Sequence, residues 1–259
     1  MGAGHGGPLG AAYVARDTAV HRLPAHVSLV AVLAFALVVV ATPLDPAWAP
    51  AYGGYAVLVL AAAALARVPA ARLARGLVVE LPFVLFALLL PVVARGPRVE
   101  VLGLSLSESG LVTAGGLLAK ATLSVLAATV LAATTTPQDL VRGLQRLRLP
   151  AVLVQILSFM VRYADVVTGE LRRMRVARES RGFRGRGPGA LRVVAATAGA
   201  LFVRSYERGE RVHLAMLARG GDGRLPAGPA PAVPVGTWLT GLALPLSAGA
   251  VLAAGVLGA

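Results

Sequence analysis

The sequence predicts an all-α integral membrane protein with about five transmembrane helices and a long, arginine-rich helical section facing the cytoplasm. Three observations predict it. Of the 259 residues, 57% are hydrophobic and 14% charged, and the mean hydropathy of +0.75 excludes an ordinary soluble protein. Apolar runs recur near the 20-residue length that a bilayer demands. The basic residues gather between those runs, where they serve as loops of one membrane face rather than as a nucleic-acid surface, despite a net charge of +13.

Residues 1–26 carry Arg16, Asp17 and Arg22 before any apolar run, with no small-residue cleavage pattern behind a short hydrophobic core, so this segment is expected to be retained. The first span is expected at about 23–42, stopped by Pro43, with Asp45, Pro46 and Pro50 in the turn that follows. The second, at about 51–66, ends in a loop carrying Arg67, Arg72 and Arg75. The third, at about 76–94, holds Glu80 near its start and Pro82 and Pro91 inside, where kinks are expected. In the loop at 95–109, the stretch 99–107 alternates in a way that allows a short extended ribbon. The fourth span, at about 110–133, offers Gly115, Gly116 and Ala119 at the small-residue spacing that lets membrane helices approach closely.

After Thr134 the character changes. Thr136 is a suitable N-cap and Pro137 suits the first helical position, while Leu140, Leu144 and Leu147 recur at helical spacing opposite Arg142, Arg146 and Arg148. That pattern predicts a short amphipathic helix along a surface, closed by Pro150. Two apolar runs follow, 151–161 and 191–203, each flanked by arginines and each too short to cross. They read as the apolar parts of two longer helices whose other halves are charged. The stretch 184–189 between them is a turn by composition, and 224–234, rich in Pro and Gly, links to a last span at about 235–257. Three sections result: 1–134, 135–225 and 226–259.

With the N-terminus inside, the cytoplasmic loops hold Arg16, Arg22, Arg67, Arg72, Arg75 and all seventeen arginines from Arg142 to Arg224, against Arg95 and Arg98 outside. Five spans then put the C-terminus outside.

Several chemistries are excluded. Without cysteine there is no disulfide, iron-sulfur cluster or thiol nucleophile. A phosphate-binding loop needs Gly-Lys before Ser or Thr, and the single lysine, Lys120, follows Ala119, so the chain is no P-loop ATPase. His5, His21, His26 and His213 lack the i, i+3 or i+4 spacing of helix ligands, and the aspartates are isolated, so no metal site and no cofactor are expected. A nucleophile elbow is absent. Lys120 sits near the middle of the fourth span, where a charge costs roughly 2.5–3.5 kcal/mol on insertion scales, so it should face protein or water. Glu80 of the third span is its candidate partner in an intramembrane ion pair.

What exceeds an ordinary positive-inside surface is a repeat. Ser180-Arg181-Gly182 and Ala218-Arg219-Gly220 each end an arginine-rich helical pattern with a small residue, an arginine and a glycine. The small residue lets the helix end approach a partner, the glycine permits a terminal turn of positive φ, and the guanidinium presents a donor fork suited to a carboxylate. Together with Asp17 through Pro24, Thr135 through Pro150, Arg162-Tyr163, Glu170, Arg173-Met174 and Arg204 through Arg208, these residues make the chain resemble the T component, the transmembrane scaffold, of energy-coupling factor transporters, in their cobalt/nickel-type CbiQ form.

The resemblance covers about 13–225. It implies that Arg181 and Arg219, flanked by Ser180, Gly182, Ala218 and Gly220, end two cytoplasmic coupling helices and dock in grooves of a pair of ATPase subunits, with Arg178 the competing register for the first. It further implies a separate substrate-binding membrane subunit of cobalt or nickel type, a non-catalytic role for this chain, and a place in the plasma membrane of a prokaryote. A T component serving a vitamin such as biotin is the alternative within transport. A membrane enzyme acting on lipid or prenyl groups is the alternative from another class, and it would need an acidic cluster at one membrane face that the sequence lacks.

Overall fold

In the computed structural model the described residues are 10, 12–101, 104–183, 189–220 and 233–258. His5, residues 184–188 of the turn expected at 184–189 and residues 224–232 of the expected linker lie outside them. The chain divides into two compact units, one formed by 12–143 with 231–259 and the other by 144–230 with the first eleven residues.

The first unit is a helical bundle. Its elements are α1 (Ala25–Ala41), a 3-10 turn (Pro46–Trp48), α2 (Ala49–Leu65), α3 (Ala70–Val78), α4 (Leu81–Val93), strands β1 (Arg98–Val101) and β2 (Leu104–Ser107), α5 (Glu108–Thr134), α6 (Pro137–Arg146) and α9 (Val235–Gly258). Helix α5 is central, packing on α1, α2, α3 and α4, while α9 packs on α1 and α2. Phe35, Tyr55, Val59, Leu123, Ala127 and Ala248 meet in the core. The Phe35 and Tyr55 rings stand edge to face at 6.2 Å, and the buried Tyr55 hydroxyl lies 3.1 Å from Thr42 Oγ1, so the one polar atom of that ring has a partner. Apolar side chains such as Leu37, Leu85, Phe86 and Leu88 stay exposed, as a lipid-facing surface requires.

The ribbon pairs antiparallel, Val99 with Leu106 and Val101 with Leu104. Thr136 caps α6 as expected: its hydroxyl accepts from the Asp139 N–H at 3.2 Å and donates to the Asp139 carboxylate at 2.6 Å. Before α1, Arg22 donates twice to Asp17, at 2.7 and 2.8 Å, and this holds the Asp17 carboxyl below its ordinary range.

The expected third span is broken. Helices α3 and α4 meet at a bend of 59° around Val79 and Glu80. Pro82 is the cause, acting earlier than expected: it has no N–H for the Val78 carbonyl and its ring crowds that group, so α3 ends at Val78 and Pro82 falls in the first turn of α4. At Pro91 the helix continues. The small-residue expectation is also redrawn. Gly116 admits the Leu44 side chain, and nothing lies within 4 Å of where a Gly115 side chain would be. The close backbone approach is at Gly110, whose Cβ would fall 2.7 Å from Pro91 Cα and 2.9 Å from the Leu90 oxygen.

The second unit contains α7 (Ala151–Ser180) and α8 (Gly189–Ala218), each of 30 residues. Both apolar runs are thus parts of long helices, as their flanking arginines suggested. One expectation is corrected. Taken as an uninterrupted run, 151–161 is too short to cross, but Val166 and Val167 continue the apolar face past Arg162 and Asp165, and α7 is apolar enough over a bilayer length. Among the described residues four helices qualify by length and composition, the turn with α2, α5, α7 and α9, and the bent α3–α4 pair makes five. Helix α1, apolar along its 17 residues, lies at the short end of what a bilayer needs.

Candidate functional site

The site is the α7–α8 pair. Helix α7 starts after Pro150, whose extended backbone (ψ 131°) delivers the chain into the first turn. It ends where the sequence placed the first signature. Arg181 is the C-cap, and Gly182 adopts φ 83°, a left-handed conformation that a side chain would strain. The Gly182 N–H donates to the Glu179 carbonyl at 3.0 Å and the Phe183 N–H to the Arg178 carbonyl at 3.3 Å. Those two bonds form a Schellman cap, which satisfies carbonyls the helix would leave open. Helix α8 ends in the same manner. Gly220 has φ 76° and donates to the Leu217 carbonyl at 3.0 Å, one residue past Arg219.

Ser180, Arg181, Gly182, Ala218, Arg219 and Gly220 are all exposed. Neither the Arg181 nor the Arg219 side chain makes a hydrogen bond or ion pair among the described residues. Each is a cation at a helix C-terminus, where the helix dipole favours it. Arg178 has a different environment. It donates to Thr197 Oγ1 of α8 at 2.9 Å, its guanidinium lies 5.3 Å from the centre of the Phe183 ring, and its Nε is buried without a partner. Arg178 is engaged inside the pair, and Arg181 is presented outward.

The two helices run antiparallel and are tied at Glu170. Its carboxylate, almost enclosed, accepts from Arg204 at 3.0 Å and from Arg208 at 3.2 Å. Arg181 lies eleven residues beyond Glu170 and Arg219 eleven beyond Arg208. At helical rise Arg181 is therefore about 16 Å from the tie, and Arg219, fifteen residues beyond Arg204, about 16–22 Å from it. The signatures stand at opposite ends of a nearly symmetric pair, and the apolar half of each helix lies beside the charged half of the other. A Glu207–Arg211 pair forms at 3.9 Å, exposed, as does Arg175–Glu179 at 2.8 Å; such surface pairs contribute a few tenths of a kcal/mol at most.

Lys120 and Glu80, expected as partners, are not brought together. The Lys120 ammonium donates to the Val40 carbonyl at 2.8 Å, satisfying one of the last carbonyls of α1, while the buried Glu80 carboxylate accepts the Thr122 hydroxyl at 2.9 and 3.1 Å. Lys120 and Thr122 are two positions apart on α5, about 200° around its axis, so they face different neighbours. Among the described residues no cluster of three His, Asp or Glu side chains is placed to hold a metal ion.

Residues 16–227, including α1 through α8 and both signatures, match a family described as cobalt transport protein, CbiQ. The chain belongs to the CbiQ family. It is 32% identical over 195 residues to the cobalt transport protein CbiQ of Rhodobacter capsulatus, a match covering 74% of this chain and 76% of that one. It is 33% identical over 95 residues to the uncharacterized protein MJ1089 of Methanocaldococcus jannaschii, covering 37% of this chain and 35% of that one, so this chain spans about a third of the archaeal protein. This CbiQ-family chain is a multi-pass membrane protein of a cobalt-transport family, and α9 lies beyond the matched residues.

Proposed function

We propose that this chain is the transmembrane T component of an energy-coupling factor importer for cobalt or nickel, and that α7 and α8 couple its ATPase subunits to a substrate-binding membrane subunit. The observation that carries the reading is the pairing of the two helix ends. Each presents an exposed, unpaired arginine just before a left-handed glycine, and the two lie at opposite ends of the pair, on either side of the Glu170 tie. Two equivalent ends suit two equivalent grooves, which a dimer of ATPase subunits offers, with a carboxylate to receive each guanidinium. Because the helices are tied at Glu170 and again at Arg178–Thr197, closure of the ATPase pair moves both ends together, and the T component passes that movement on without catalysing any reaction itself.

With α1 taken as a span and α7, although apolar over a bilayer length, taken to lie on the cytoplasmic side, the arginine asymmetry supports a plasma-membrane topology with the N-terminus and the α7–α8 pair cytoplasmic and the C-terminus outside. Cobalt as cargo is supported by the name of the Rhodobacter relative. The test is an affinity pull-down of the tagged chain from detergent-solubilised membranes of its native host, followed by mass spectrometry. Recovery of a P-loop ATPase with a cobalt- or nickel-type substrate subunit is the expected result. A vitamin-type subunit would overturn the cargo and keep the coupling role. Absence of any ATPase, under conditions that preserve other membrane complexes, would overturn both.

A further inference from the structure

Between the C-terminal half of α7 and the N-terminal half of α8 lies an open cavity of about 860 Å³, lined by Arg173, Arg178, Arg181, Arg192 and Arg204 with Glu170 the one carboxylate. That carboxylate is already shared by Arg204 and Arg208. Among the described residues Arg173, Arg181 and Arg192 make no hydrogen bond or ion pair, and Arg178 keeps a buried Nε donor without an acceptor. The cavity therefore holds several guanidinium groups and no anion left to answer them. The α8 wall is apolar and small, with Val193, Ala196 and Ala200, and α8 continues outward through the exposed Leu191 and Val194. This juxtaposition follows from the antiparallel pairing, which sets the basic end of one helix beside the apolar start of the other.

We propose that this cavity binds the phosphate of an acidic phospholipid, the guanidinium groups taking the headgroup and the α8 wall the start of an acyl chain. Planar donor forks match phosphate oxygens, and a basic surface beside apolar area suits an anionic lipid better than a soluble anion. The site goes beyond the docking role and shares Arg181 with it, so the test replaces Arg178 and Arg192, which line the cavity and take no part in the docking proposal.

The test uses the full chain purified in a mild detergent, with native mass spectrometry reading retained adducts after addition of phosphatidylglycerol, phosphatidylcholine or inorganic phosphate. Wild type is expected to retain phosphatidylglycerol in preference to phosphatidylcholine. The variant Arg178→Gln with Arg192→Gln is expected to lose about tenfold or more in that affinity, the size of one charge-assisted contact. Arg192→Gln alone removes an exposed side chain with no internal bond and leaves the fold undisturbed, and it should also weaken retention, whereas Arg211→Gln, whose side chain pairs with Glu207, should not. Equal retention of the two lipids, or undiminished phosphatidylglycerol binding by both arginine variants, would overturn the site. Inorganic phosphate binding as tightly as the lipid would overturn the lipid as its occupant.

Discussion

Arg178 and Arg181 stand three residues apart on α7 and face different surroundings. Arg178 bonds Thr197 across the helix pair and lies against Phe183, whereas Arg181 is exposed beyond the last turn. Replacing Arg178 by Ala should cost about 1–2 kcal/mol through the lost cross-helix bond and ring contact. Replacing Arg181 by Ala should change stability by less than about 0.5 kcal/mol, as exposed sites generally do. Thermal midpoints of the two detergent-purified variants check this, and an equal loss in both would contradict the distinction. The sequence showed both arginines near the signature but not which one turns inward. That depends on where Thr197, nineteen residues on, comes to lie. The Glu170 tie was hidden for the same reason, because its partners are 34 and 38 positions away and meet it only once the register of two helices is set.

At the scale of the element, what is local was legible and what is mutual was not. The cap at Thr136, the lengths of α7 and α8 and the left-handed glycines at both signatures are decided by residues within a turn of one another, and they lie where expected. Which face of a membrane helix meets which neighbour is not written in a uniformly apolar stretch. Hence Lys120 was matched to the wrong partner, and close approach was expected at Gly115 and Gly116 although the backbones meet at Gly110. Even the α3–α4 break, signalled by Pro82, begins four residues earlier, at the carbonyl the proline cannot satisfy. Packing at Gly110 has a direct consequence. Gly110→Ala places a methyl group 2.7 Å from the Pro91 backbone, so α4 and α5 must part, at a cost of about 1–3 kcal/mol. Gly115→Ala meets open space and should be neutral or slightly stabilising, by up to about 1 kcal/mol of helix propensity. Chemical or thermal unfolding of the pair compares them, and equal stability would contradict the assigned approach.

For the whole molecule, the division of labour follows composition. Residues 12–143 with α9 supply an apolar bundle whose exposed surface suits lipid, and residues 144–230 concentrate the arginines into two tied helices with matched ends. The family match spans both sections, and the docking proposal rests on the second. The most direct measurement is the number of ATPase subunits that co-purify with the tagged chain from cells expressing wild type, Arg181→Glu, Arg219→Glu or both. Charge reversal at an exposed helix end should leave membrane insertion unchanged while removing one charge-assisted contact per site. The expected result is two ATPase subunits per wild-type chain, about one with either single variant and none with the double variant. Undiminished ATPase recovery with the double variant, inserted normally in the membrane, would contradict the docking of these two helix ends.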